Sequence, residues 1–475
     1  MNTYAALILE SGVVISFSSF TFGLDLLLLG VCFQSLLKEP RNPLVLLHWC
    51  LLVLLIPILG ALLYLVFGES RIRNKALRKW MLAENYKLDP EIDIVGHQRV
   101  QGLIRDVERI NQYWSTTAER VDIIADPVAA YQVLLEAIRS AKRTIMVEYY
   151  MIRNDRVGNR VLEELTKKAQ QGVKVFLLFD YLGSWTINKY RIANLKAAGG
   201  VAASFAPFQL IFRMVSPNLR NHRKLVIVDS SLAITGSANV GNNYFGRRYS
   251  KQNRDYLVIV EGKIVEHLEQ VFYHDWRFST DHPLPKRELS LVKISGTNSV
   301  PLQVIDSGPH TLFENLHESV LHLLSVAQHN IRIASPYLAP SEPVLYALRL
   351  AVRRGVRVEI MIPRKSDSAF LDIVGRSFAR ELADVGASIY IYEENFLHSK
   401  MIIVDDRYIL LGSANMDCRS FRLNFELSLI VDSERVAKRA NEIFNHDYKF
   451  CGVLDDPSQG WRMLENLSRI FSPQL

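Results

Sequence analysis

The sequence predicts an α/β protein built from two similar tandem domains and preceded by an apolar N-terminal hairpin. Three observations carry this: a strand–helix–glycine–strand pattern that occurs twice, a histidine-centred block found once in each copy, and 27 consecutive residues near the N-terminus without Asp, Glu, Lys or Arg.

The uncharged run extends from Asn42 to Gly68. A helix needs roughly 20 residues to cross the hydrocarbon core, so this run is long enough to span with some tilt. It contains Pro57 and Gly60, which lipid-embedded helices tolerate better than soluble ones. A second apolar stretch, Ser11 to Leu24 and Leu26 to Leu37, is interrupted by Asp25. An Asp at a helix centre costs roughly 2.5–3.5 kcal/mol on insertion scales unless it faces protein. No basic region precedes the stretch, which argues against a cleaved leader. Residues 1–70 therefore read as a two-span transmembrane hairpin joined by Lys38–Arg41. The cluster Arg71, Arg73, Lys75, Arg78 and Lys79 outweighs that loop in positive charge. It places the rest of the chain on the cytoplasmic side, and it also suits anionic headgroups.

Residues 71–120 read as an amphipathic connector, and the repeat follows. In the first copy a helix over Tyr131–Arg139 leads to a strand over Thr144–Ile152; a helix over Val161–Gln170 then leads through Gly172 to the strand Val173–Asp180. In the second copy the same order is a helix over Leu316–Ala327, a strand over Asn330–Leu338, a helix over Val344–Arg353, Gly355, and the strand Val356–Pro363. Alternation of this kind predicts parallel or mixed sheets with helices on both faces, and each glycine suits a left-handed helix cap. The Pro-rich His282–Arg287 divides the copies into residues 121–285 and 286–475.

Each copy contains one block of the same form. His222, Lys224 and Asp229 precede Gly236–Asn239; His398, Lys400 and Asp405 precede Gly412–Asn415 at identical spacing. The intervening residues Leu225–Val228 and Met401–Val404 read as strands, so each His and Lys, two apart, share one face. A phosphate suits that arrangement. The imidazole reaches phosphorus or a leaving oxygen, while Lys224 and Lys400, with Ser237, Asn239, Ser413 and Asn415, bind the non-bridging oxygens. Asp229 and Asp405 complete the motif, yet they lie at the far strand ends, which suits a structural role. Asp255 and Glu426, on the following strands, are the candidates for orienting the histidines. One His-x-Lys pair would mean little; two copies matching at seven positions in corresponding places mean much more.

The net charge of +7 and pI near 9.1 suit an anionic partner, lipid or nucleic acid. Cys32, Cys50, Cys418 and Cys451 are scattered, with neither a disulfide framework nor zinc spacing.

The two His-Lys-Asp blocks are the signature of the phospholipase D superfamily, and the resemblance covers about residues 120–475. The segment from Asn415 to Glu426 resembles the N-x-D-x-R-S-x-x-L-N-F-E stretch of bacterial cardiolipin synthases, and Ser335–Glu342 and Pro363–Asp367 are similar to that family's blocks around the same site. The resemblance implies two phospholipase D-like α/β domains about a pseudo-twofold axis, with both histidines in one site. It implies His222 as nucleophile, forming a phosphohistidine, and His398 as acid and base, with no metal or other cofactor. It implies phosphatidylglycerol as substrate, anionic membrane lipids as surroundings, and the bacterial inner membrane as location. No basic and aromatic groove for nucleic acid is evident, and the sequence leaves a homo-oligomer open.

Overall fold

The computed structural model describes residues 30, 34, 43–67, 102–111, 113–205, 220–246, 252–280, 282, 284, 299–311, 313–455 and 458–474. They fall into two compact units, one holding residues 43–67 and the other holding the sheets.

In the first unit, helices α1 (Pro43–Leu55) and α2 (Pro57–Phe67) pack on each other through Trp49, Val53, Ala61 and Tyr64. The Trp49 and Tyr64 rings meet edge-on at 5.3 Å. Gly60 permits the approach, since a Cβ there would lie 2.5 Å from the Leu52 carbonyl oxygen. This corrects the continuous span predicted over Asn42–Gly68: Pro57 has no N–H, and its ring crowds the preceding turn, so the run is two short helices. Among the described residues no helix is long and apolar enough to cross a membrane. The Ser11–Leu37 span lies almost entirely outside the described residues, and the Arg71–Lys79 cluster lies wholly outside them.

Among the described residues the second unit begins with helix α3 (Leu103–Ile110) and strand β1 (Thr116–Ala118). Strands β2 (Arg120–Ile124), β3 (Thr144–Tyr149), β4 (Lys174–Asp180), β5 (Val201–Phe205), β6 (Lys224–Val228), β7 (Leu232–Gly236) and β8 (Leu257–Glu261) form a mixed sheet in the order β2-β8-β7-β6-β3-β4-β5. The chain then builds β9 (Val300–Ser307), β10 (Asn330–Ala334), β11 (Leu338–Ala339), β12 (Arg357–Pro363), β13 (Ser388–Tyr392), β14 (Met401–Val404), β15 (Tyr408–Gly412), β16 (Met416–Asp417), β17 (Glu426–Asp432) and β18 (Cys451–Val453). Within the second sheet, β9-β17-β15-β14-β10-β12-β13 repeats the first order strand for strand, with β1 and β18 added at the edges. Within these two sheets the β3–β4–β5 and β10–β12–β13 pairings are parallel, as crossover helices require, and β11 pairs with β16 in a separate parallel ladder.

In the first half helix α4 (Pro127–Ser140) leads into β3, and the crossovers are α5 (Arg156–Gln170), between β3 and β4, and Lys189–Ala197, between β4 and β5. Gly172 follows α5 at φ +86°, and Gly355 ends the corresponding helix of the second half at φ +87°, the left-handed positions that favour glycine. Helix α6 (Ile264–Ser279) follows β8, packing against β5–β8 of its own sheet and against β9 of the other. Its counterpart α7 (Glu434–Tyr448) packs against β13–β15 and reaches β2. Each half thus lends a helix to its neighbour. The stretch read as a connector also joins this core: Leu103, Ile104 and Val107 are buried with the second sheet, and β1 pairs with β9.

Candidate active site

The strand edges decide what the halves share. The residue before each motif histidine pairs with the residue before each orienting carboxylate of the opposite half: Asn221 bridges Phe425, and Leu397 bridges Arg254. The His222 amide donates to the Phe425 carbonyl at 2.9 Å, and the His398 amide to the Arg254 carbonyl at 2.9 Å. One residue further on, side chains from different halves are therefore forced together. His222 Nδ1 lies 3.0 Å from both carboxylate oxygens of Glu426, and His398 Nδ1 lies 2.8 Å from Asp255 Oδ1. Each histidine is held by the other half's acid.

An ionised carboxylate only accepts, so Nδ1 of each ring carries the proton and Nε2 is left for chemistry. Burial pushes His222 down to about 4, against the opposing charge of Glu426, and it lowers His398 as well, against Asp255. Both rings are therefore neutral at pH 7. Burial alone would raise Glu426, but His222 and Lys224 outweigh it and hold the carboxyl below its ordinary range; His398 and Lys400 do the same for Asp255.

Lys224 and Lys400 are fully buried, and each Nζ lies 2.5 Å from the carbonyl oxygen of its own motif histidine. Burial lowers Lys224 to about 7 and Lys400 to about 8. Each lysine acts electrostatically on both histidines, so the four side chains converge. Two buried lysines, each poised to gain a proton when an anion arrives, make a strong anion site.

The remaining sequence candidates separate. Asn239 Oδ1 and Asn415 Oδ1 are buried without a hydrogen-bond partner, while Asn239 Nδ2 donates to the Tyr244 hydroxyl at 3.1 Å. A half-turn of the amide lets Tyr244 donate and directs the NH₂ to the unpaired position, where a phosphate oxygen is an acceptor. The serines lie one layer behind. Ser413 Oγ donates to Glu426, and Ser237 Oγ accepts from the Tyr256 amide at 3.2 Å, so both serve the carboxylate strands rather than face a phosphate. Asp229 and Asp405, the last residues of the motif, bond to backbone amides and not to the histidines. Asp229 accepts from the amides of Lys142, Arg143 and Thr144 at 2.7–2.8 Å, and Asp405 from those of Gln328, His329 and Asn330 at 2.7–3.0 Å. Each caps the turn into the neighbouring strand at φ near +50°.

Several neighbours went unread in the sequence. Tyr150 meets the His222 ring edge-on at 5.1 Å, and Tyr244 and Phe396 flank His398 at 5.6 and 5.5 Å. Between the motif residues sits Arg223, fully buried, ion-paired to Asp275 on α6 and Asp306 on β9, and donating to the Glu426 carbonyl at 3.2 Å. Its position inside the motif was the available signal. In the second half the same position is Ser399, so the repeat gave no emphasis to it.

Comparison with known proteins adds independent findings. The family profile described as "Cardiolipin synthase, PLD-like domain" matches residues 134–276 and 320–448, and "Phospholipase_D-nuclease N-terminal" matches 23–69. A cardiolipin synthase of Clostridium perfringens is 33% identical over 92% of this chain and 95% of its own length. One from Oceanobacillus iheyensis is 34% identical over 95% of this chain and all of its own length. The crystal structure of a phosphatidylserine synthase from Haemophilus influenzae superposes with a TM-score of 0.60 at 17% identity, covering 78% of this chain and 99% of that one, which shows a shared fold.

Proposed function

We infer the reaction from one premise: the chain belongs to the cardiolipin synthase family of the phospholipase D superfamily. It is a phosphatidyltransferase. Our reading is that one phosphatidylglycerol gives up its phosphatidyl group to a second, yielding cardiolipin and glycerol. The observation that carries it is the crossed pair of rings, each anchored at Nδ1 by a buried carboxylate beside a buried lysine.

In the proposed sequence His222 Nε2 attacks phosphorus, forming an N–P bond as the P–O bond to the first glycerol breaks. That needs a neutral ring, which its lowered pKa supports. His398 delivers the proton to the departing glycerol oxygen after taking it up with the bound anion, whose charge raises the ring's basicity. It then removes the proton of the incoming glycerol hydroxyl, whose oxygen displaces His222. Lys224, Lys400 and the amides of Asn239 and Asn415 stabilise the charge on the non-bridging oxygens. Bond energy is nearly conserved, so no nucleotide enters.

We further place the protein in the bacterial inner membrane, with the catalytic unit cytoplasmic. The apolar N-terminal stretches and the Arg71–Lys79 cluster support this. Incubating the purified chain with phosphatidylglycerol in mixed micelles tests the reaction. Cardiolipin and glycerol are expected, and both His222→Ala and His398→Ala abolish them. Phosphatidic acid without cardiolipin, or cleavage of DNA alone, would overturn it.

A further inference from the structure

The helix α8 (Gln459–Ser468) faces the wrong way for a core helix. Its polar side is bound to the protein: the Arg380 guanidinium lies 2.7 Å from Glu465, Ser377 Oγ donates to the Asn466 side-chain oxygen at 3.0 Å, and Arg469 just beyond it pairs with Glu381 at 2.6 Å. Glu465 and Ser468 are its buried residues. The large apolar side chains stand outward: Met463 is 71% exposed, Leu467 59% and Trp461 54%, with Leu464 exposed between them. A charged face used for tertiary contacts fixes the helix in this orientation, so its apolar side is presented permanently.

Its location gives that side a partner. The turn after the helix packs against Cys418–Arg422, the segment between Asn415 and Glu426 of the site. Strand β4 runs parallel to β3, whose end at Tyr149 pairs with Lys224, so the loop after Asp180 leaves the histidine edge of the first sheet. That loop carries Tyr181, Leu182 and Trp185, all exposed, Trp185 at 75%. By the same argument the loop after β12 leaves the histidine edge of the second sheet and leads to the exposed Phe370 in the first turn of the helix Ala369–Asp384. The loop after β9, where Ser307 pairs with Glu426, carries Phe313 at 66%. Two exposed lysines belong to the same segments, Lys365 in the loop after β12 and Lys189 at the start of the helix that follows the Trp185 loop. Four segments far apart in sequence thus put aromatic and aliphatic groups, with cations in two of them, around one site. Exposed apolar side chains mixed with Trp, Tyr and Lys around one site are the profile of a face that sits in a bilayer interface.

We propose that the histidine-bearing end of the catalytic unit docks on an anionic phospholipid bilayer, with the outward face of α8 and Trp185 entering the interface. This is separate from the N-terminal hairpin, and it rests on the lipid reading of the site. Docking shortens the path by which a headgroup leaves the membrane for the buried lysines, and the exposed lysines add electrostatic attraction to an anionic surface.

The test compares two presentations of substrate to the full chain in proteoliposomes: phosphatidylglycerol within the bilayer, and monomeric dihexanoyl phosphatidylglycerol supplied to phosphatidylcholine proteoliposomes. L464E/L467E should lower turnover of the bilayer substrate at least tenfold and leave the monomer rate within twofold, as should W185E less strongly. A nitrobenzoxadiazole probe on L467C should be quenched by spin-labelled lipid. Equal loss on both substrates, no loss on either, or an unquenched probe would overturn the docking face. So would loss of a dimer in sedimentation by L464E/L467E. Failure of the unmodified chain to transfer phosphatidyl groups on both substrates would instead defeat the lipid reading.

Discussion

Replacing Glu426 by Gln tests whether a carboxylate borrowed from the opposite half sets the state of His222. The carboxylate is completely buried, receives Nδ1–H of His222 at 3.0 Å, and is braced by Ser413 Oγ and by the Asn424 amide at 3.3 Å. Gln keeps the volume but removes the charge and places an NH₂ where an acceptor stood. A hydrogen bond to a charged group contributes about 1.5–3 kcal/mol, which is roughly a 10- to 150-fold loss in rate if it is realised in the transition state. Ser413→Ala removes only a brace and should cost about 0.5–1.5 kcal/mol, or roughly 2- to 12-fold. The two act through one carboxylate, so the double variant should be little slower than E426Q. Single-turnover release of labelled glycerol, which reports attack by His222, is the assay, with circular dichroism to show that the variants are folded. A folded E426Q within twofold of the unmodified rate, or fully additive losses, would refute the assignment.

Lys224→Met should abolish turnover yet raise the thermal midpoint at pH 8–10. The lysine is held at about 7 in the folded chain by burial and lies near 10.5 unfolded, so across that window the unfolded state binds the extra proton and stability rises with pH; the variant should flatten this dependence in scanning calorimetry. Asp229→Asn, which keeps an oxygen for the Arg143 and Thr144 amides but turns an NH₂ toward that of Lys142, should cost about 1–3 kcal/mol in urea unfolding while turnover per folded molecule stays unchanged. A catalytic role would give the reverse. Arg223→Met leaves Asp275 and Asp306 buried without their cation and should cost about 3–5 kcal/mol, read as loss of folded protein at 37 °C.

The repeat was legible because it is written in local spacing: alternating elements, Gly172 and Gly355, and two blocks that differ little at their polar positions. Asp255 and Glu426 were legible as candidates by the same correspondence. Their crossed pairing was not, since His222 and Glu426 are 204 residues apart and nothing between them records which half an acid serves. The lysine and histidine spacing placed the site, but the serines behind the carboxylates and the capping aspartates needed the side-chain contacts to be assigned. Pro57 was read as tolerable in a span, and it breaks one instead. The apolar stripe of α8 would suit a buried face by pattern alone; only Arg380, Glu381 and Ser377 reveal that its polar side is turned inward.

The crossed carboxylates also govern what happens while the chain is being made. The first half leaves the ribosome complete with His222 and Lys224, but Glu426 is synthesised some 200 residues later. Until then the imidazole has nothing to fix its tautomer and no partner acid, so the nascent enzyme is chemically silent. Activity switches on only when the second half closes against the first. The same contacts that orient the rings thus make transfer depend on both halves being folded together.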